Sequence, residues 1–182
     1  MILFMIAAFC SCSKNQQTEQ VKTYYIPPSY YKIAGIEPEV DVADIKAKGS
    51  SYCTDVYTKD GGMVIKLTEK QCEKIKSEFT QELKKMMDKI LKVNAKFKIE
   101  QSPDYKVLTF TADEQITEFE VYPNLILLIS SNITQQILNT GLSKWSLHLK
   151  FVNCHTGKTV IEGDLPKDQI SFGEKEWKAS YN

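Results

Sequence analysis

One segment constrains the fold of this chain more than any other: a long amphipathic helix with its start signal in place. Thr68-Glu69-Lys70-Gln71 is a capping box, and Leu67 stands where it can staple onto Cys72. From there Cys72, Ile75, Phe79, Leu83, Met86, Ile90 and Val93 recur at steps of three or four, and Met87 and Leu91 widen the stripe. Lys70, Lys74, Glu78, Gln81, Lys85, Asp88 and Lys92 occupy the other side, the composition of a solvated face. Asn94 is the expected left-handed stop. At 1.5 Å per residue such a helix spans about 38 Å, enough to cross a whole sheet. With one dry face, it needs a sheet to lie on.

The flanking residues supply that sheet. Runs at 51–58 and 63–68 are strand-like, and Lys59-Asp60-Gly61-Gly62 between them provides the positive-φ positions of a tight hairpin turn. In the second run only Val64 breaks the polar face. After the helix, Ala95, Phe97 and Ile99 alternate with lysines. Ser102-Pro103-Asp104 then turns the chain, and Leu108 and Phe110 return on the matching face. The run 116–122 reads as either a short strand or a loop. Pro123 suits the first turn of a second helix and Gly141 its end, with Leu125, Leu128, Ile129, Ile133 and Ile137 at helical spacing, although LILLIS could also form a buried strand. A last hairpin places Trp145, Leu147, Leu149 and Phe151 on one face, turning at Asn153-Cys154-His155-Thr156-Gly157. The expected order is ββαββαββ: an α+β two-layer sandwich with two helices on one face of a mostly antiparallel sheet.

Outside this expected domain (51–166), a C-terminal tail (167–182) keeps Phe172, Trp177 and Tyr181 and is expected to dock. Residues 21–50 contain Pro27, Pro28 and Pro38, which forbid one continuous helix, so 12–50 reads as a polar tether followed by an irregular arm. Tyr24, Tyr25, Tyr30 and Tyr31 flank the proline pair. They form the candidate binding surface, because tyrosine offers a rigid amphipathic contact; the plainer reading packs them along the domain.

The chain opens on MILFMIAAF, far short of the roughly 18–20 apolar residues that a membrane span requires; its length matches a signal-peptide core instead. Ser11-Cys12 follows, a small residue before a cysteine, and then the polar run SKNQQTEQ. These first residues resemble the signal of bacterial lipoproteins. The resemblance implies that residues 1–11 are removed and that Cys12 is acylated, anchoring the protein to the cell envelope: the outer membrane, or the outer face of the cytoplasmic membrane. Two or three acyl chains hold a protein stably where one does not, and the polar run would act as a flexible spacer.

Charge excludes one class of partner. The 23 basic and 23 acidic residues cancel, leaving no electrostatic footprint for nucleic acid. With Cys10 removed and Cys12 acylated, Cys53, Cys72 and Cys154 remain, so at most one disulfide can form; Cys53–Cys154 is the open pairing. No nucleophile elbow, zinc-protease helix or phosphate loop is present. His148 sits on the polar face of its strand and His155 in a turn beside Cys154. Adjacent turn residues point apart, so neither a Cys–His pair nor a metal set of Cys154, His155 and His148 is expected, and no cofactor is implied. The expectation is a non-catalytic binding or scaffolding module whose partners are the membrane, through its lipid, and an envelope protein or small ligand. An envelope hydrolase with scattered catalytic acids and an accessory subunit of a surface assembly are the alternatives.

Overall fold

A computed structural model describes residues 19–118, 121–171 and 173–182. The signal and Cys12 lie outside the described residues. The chain is α+β, with its strands divided between two sheets rather than gathered in one.

The first sheet contains β1 (Val21–Ile26), β2 (Asp55–Lys59) and β3 (Gly62–Thr68), in the order β1-β3-β2 and antiparallel throughout. Asp60 and Gly61 both take positive φ, 49° and 71°, so the β2–β3 hairpin closes on the two-residue turn that Asp-Gly favours. Tyr24 and Val56 flank Ile65 from either side on the helix-facing side of this sheet. On the opposite side Tyr25 and Tyr57 flank Val64. Val64 is buried because β3 is the central strand, not because the pattern fails there.

β1 lies within the segment that the sequence assigns to an irregular arm. Prolines are excluded from helix interiors but welcome in the first turn, and here they start two short helices: α1 (Pro28–Ala34) and α2 (Pro38–Ala47). A domain boundary at residue 50 would therefore cut through the sheet.

α3 (Glu69–Leu91) begins as its capping box requires: Gln71 N donates to Thr68 Oγ1, and Thr68 N donates to Gln71 Oε1 at 2.8 Å. It ends at Leu91 with Lys92 as a right-handed cap, so Asn94 is not its stop. The second sheet holds β4 (Lys98–Gln101), β5 (Val107–Ala112), β6 (Leu147–Asn153) and β7 (Thr159–Leu165), in chain order. β4–β5 and β6–β7 are antiparallel, but β5–β6 is parallel. The helix between them makes this pairing available, since parallel strands need a long crossover. The crossover runs through a 3₁₀ turn (Glu114–Thr117) and α4 (Tyr122–Thr140), which ends on left-handed Gly141. Phe110 and Phe151, register partners across the parallel pair, stack at 5.0 Å with no exposed surface. Truncating either would cost about 3–5 kcal/mol.

α4 is not one-sided. From Leu128 to Leu138 every residue is buried, the polar ones included. Those polar groups clip the neighbouring elements. Gln135 Nε2 donates to Lys76 O on α3 at 3.0 Å, Gln136 Nε2 donates to Tyr105 O at 2.6 Å, and Asn132 accepts from Gln101 of β4. Burying polar residues on a central helix costs little where they find partners, as these three do. The tail forms α5 (Glu174–Tyr181) and docks on β6 and β7, with Trp177 buried. No helix among the described residues is long and apolar enough to cross a membrane.

Candidate functional site

The alternation of β3 places Met63, Ile65 and Leu67 toward the helices, and the 3.6-residue period of α3 places Ile75 and Phe79 opposite them. α4 closes the far side and α2 covers the mouth. The helices do not fill this space, and a cavity of about 300 Å³ remains between them. Its walls are largely aliphatic and aromatic, and its size is at the lower end of the small-molecule range of roughly 300–1,000 Å³.

Ser130 of α4 lines this cavity. It is buried, and its hydroxyl has no hydrogen-bond partner. Thr134 Oγ1 donates to the Ser130 carbonyl at 3.1 Å, not to its hydroxyl. Charge gathers at the mouth, where α2 contributes Asp41, Asp44 and Lys48. Burial pushes the Asp41 carboxyl above its ordinary range, partly offset by the nearby Tyr31 hydroxyl. Lys48 Nζ sits 4.3 Å from the centre of the Tyr52 ring. The Tyr30 hydroxyl, also at the cavity, is pushed up to about 12 by burial. A second, wider cleft of about 700 Å³ lies between α1, α4 and the residues after β7, with more polar walls.

The four tyrosines of the candidate binding surface do not form an exposed strip. Tyr24 is buried and donates to Cys72 Sγ at 3.4 Å. Tyr30 and Tyr31 are buried edge-to-face at 5.0 Å. Tyr25 is half-buried, its hydroxyl on the Asp60 carbonyl at 3.3 Å. The reason is the β1–β3 pairing and the α1 helix, which turn three of the rings into the core. Tyr30 remains beside the candidate site as a wall of the cavity rather than as a surface contact.

Cys53, Cys72 and Cys154 are all free thiols, so the Cys53–Cys154 bridge does not form. Cys154 and His155, however, do not point apart. Both reach Asp113: His155 Nε2 stands 3.3 Å from Asp113 Oδ2 and Cys154 Sγ 4.0 Å. His148 belongs elsewhere, 2.8 Å from Asp164. Among the described residues, Asp113, Cys154 and His155 are a group whose ligand atoms all fall within 4.8 Å of one another. Their spacing along the chain carried no signal, because β5–β6 pairing alone unites them.

Comparison with protein-family models, with curated proteins and with solved structures finds no match for this chain.

Proposed function

We propose that this protein is a cell-envelope lipoprotein, tethered through Cys12, whose domain binds a small amphipathic molecule without catalysing its conversion. The ligand places a mainly apolar body, bearing one hydrogen-bonding group for Ser130, in the cavity under α2 and a basic amine at its mouth. The observation that carries this reading is the unpartnered hydroxyl of Ser130, buried in the wall of an apolar cavity. A buried hydroxyl with no bond costs about 1–3 kcal/mol, a cost that a ligand supplying the bond would remove. The charge at the mouth supports the choice of head group. Asp41 and Asp44 outnumber Lys48, and Lys48 already lies over the Tyr52 ring.

Displacement of an apolar fluorescent dye tests the cavity. Octylamine should displace the dye at lower concentration than octanoate of equal chain length, and Ser130→Leu, which fills the space, should weaken dye binding at least tenfold. Equal potency of amine and carboxylate would remove the acidic mouth from the argument, and full dye binding by Ser130→Leu would remove the cavity. The tether is tested separately by membrane fractionation. Wild type should sediment with membranes and Cys12→Ala should not; unchanged sedimentation would defeat the anchor.

A further inference from the structure

We infer that Asp113, Cys154 and His155 form a binding site for one borderline-soft divalent cation of the zinc class, independent of the cavity. The argument begins with topology. Asp113 immediately follows β5, and Cys154 and His155 immediately follow β6. Because those strands are parallel neighbours, their carboxyl ends lie side by side, and residues 41 and 42 positions apart meet. In open α/β sheets, ligands bind in crevices at the carboxyl ends of parallel strands, and this pair offers the same arrangement locally.

The backbones of all three residues are pinned. Cys154 N donates to Ala112 O at 2.7 Å, and His155 N donates to Asn153 Oδ1 at 2.8 Å. Asn153 is itself buried, its amide on Ser180 Oγ of α5 at 2.8 Å. Asn94 Nδ2 donates to Asp113 Oδ2 at 3.0 Å, and Gln115 N donates to Oδ1 at 3.1 Å, so the carboxylate is oriented before any cation arrives. Such outer partners are what hold metal ligands in place. Tetrahedral zinc, with bonds of 2.0–2.3 Å, sets its ligand atoms about 3.3–3.7 Å apart. The His155–Asp113 pair already has this spacing, and the Cys154–Asp113 pair needs to close by only a few tenths of an ångström.

The same geometry argues against a thiol nucleophile. The imidazole Nε2 is engaged by the carboxylate, and burial, reinforced by the Asp113 charge beside it, opposes thiolate formation at Cys154. A dication reverses both effects. The step balances simply: the thiol gives up its proton to solvent, a metal–sulfur bond forms, and one thiolate and one carboxylate neutralise the two positive charges. His155 must change its tautomer. Its Nδ1 faces Lys96 Nζ at 3.4 Å and its Nε2 faces the carboxylate, so the resting ring carries its proton on Nε2. Metal binding at Nε2 moves that proton to Nδ1 and displaces the Lys96 ammonium, which is on an exposed residue. Lys96 therefore opposes the cation twice, as a competing charge and as a partner of the wrong tautomer.

Cobalt(II) titration of the full chain in detergent, with thiols reduced, tests the site. One equivalent should produce thiolate-to-cobalt charge-transfer absorption that zinc abolishes on displacement, with about one proton released per cation. Cys154→Ser should lose the band while Cys53→Ala and Cys72→Ala keep it. Asp113→Asn and His155→Gln should each weaken binding at least tenfold, and Lys96→Met should tighten it several-fold. Far-ultraviolet circular dichroism identifies any variant that has lost its fold. No charge-transfer band in the reduced wild type, or a band that survives Cys154→Ser, would overturn the site.

Discussion

Ser130→Ala should make the ligand-free protein more stable, although most core substitutions do the reverse. Ser130 is 4% exposed and its Oγ has no partner, so the wild type carries an unserved hydroxyl on α4. Removing it recovers about 1–3 kcal/mol of desolvation. Alanine also favours a helix interior over serine by about 0.5 kcal/mol. The oxygen it removes is small and faces a cavity, so little packing is lost. The net expectation is a gain of about 1.5 kcal/mol or more, which for a chain of this size raises Tm by about 3–6 °C. Urea denaturation followed by circular dichroism reads the change as a higher midpoint with an unchanged slope. Ser77→Ala, at an exposed site on α3 where the hydroxyl accepts a 3.5 Å bond from Gln81 Nε2, reports chiefly the helix-propensity part, and the difference between the two isolates the buried hydroxyl. Equal gains in both variants, or a loss in Ser130→Ala, would mean that the hydroxyl is already satisfied and would refute the reasoning.

Thr68→Ala removes the acceptor for Gln71 N and should cost about 1 kcal/mol, read as a lower urea midpoint. Gly62→Ala should cost about 1–3 kcal/mol, because a Cβ there would meet the Ile26 carbonyl oxygen and the Tyr25 ring; equal midpoints for Gly62→Ala and wild type would contradict the close approach of β1 and β3. Burial raises the carboxyl of Asp41, so its contribution to stability is fully present below the unfolded-state carboxyl pKa and is lost as pH rises through the folded value. Asp41→Asn should therefore gain on wild type as pH rises from acid to neutral; a difference that stays constant across that range would show that the carboxyl is not perturbed.

Local chemistry was legible in the sequence and long-range pairing was not. The capping box at Thr68, the Asp60-Gly61 turn and the Pro123 and Gly141 limits of α4 each depend on a few adjacent residues, and each stands as read. β1 could not be read the same way, because its partner β3 is some forty residues away and its own first three residues are exposed. Its neighbouring prolines read locally as breakers, whereas in the fold they start helices. The division into two sheets was hidden for a related reason: alternation shows which face of a strand is dry but not which strand lies beside it. That same gap hid Asp113. An all-hairpin reading leaves it at the end of β5 with nothing opposite, and only the parallel register brings Cys154 and His155 to it.

The parallel pair also dictates an order of assembly. The β2–β3 and β6–β7 hairpins close over short loops and can form early, within microseconds. β5 and β6 cannot meet until the 34 residues between them are gathered, and the entropy of closing that span is repaid only once α4 has docked. Stacking of Phe110 on Phe151 is therefore expected late, and a substitution at either ring should accelerate unfolding more than it slows refolding.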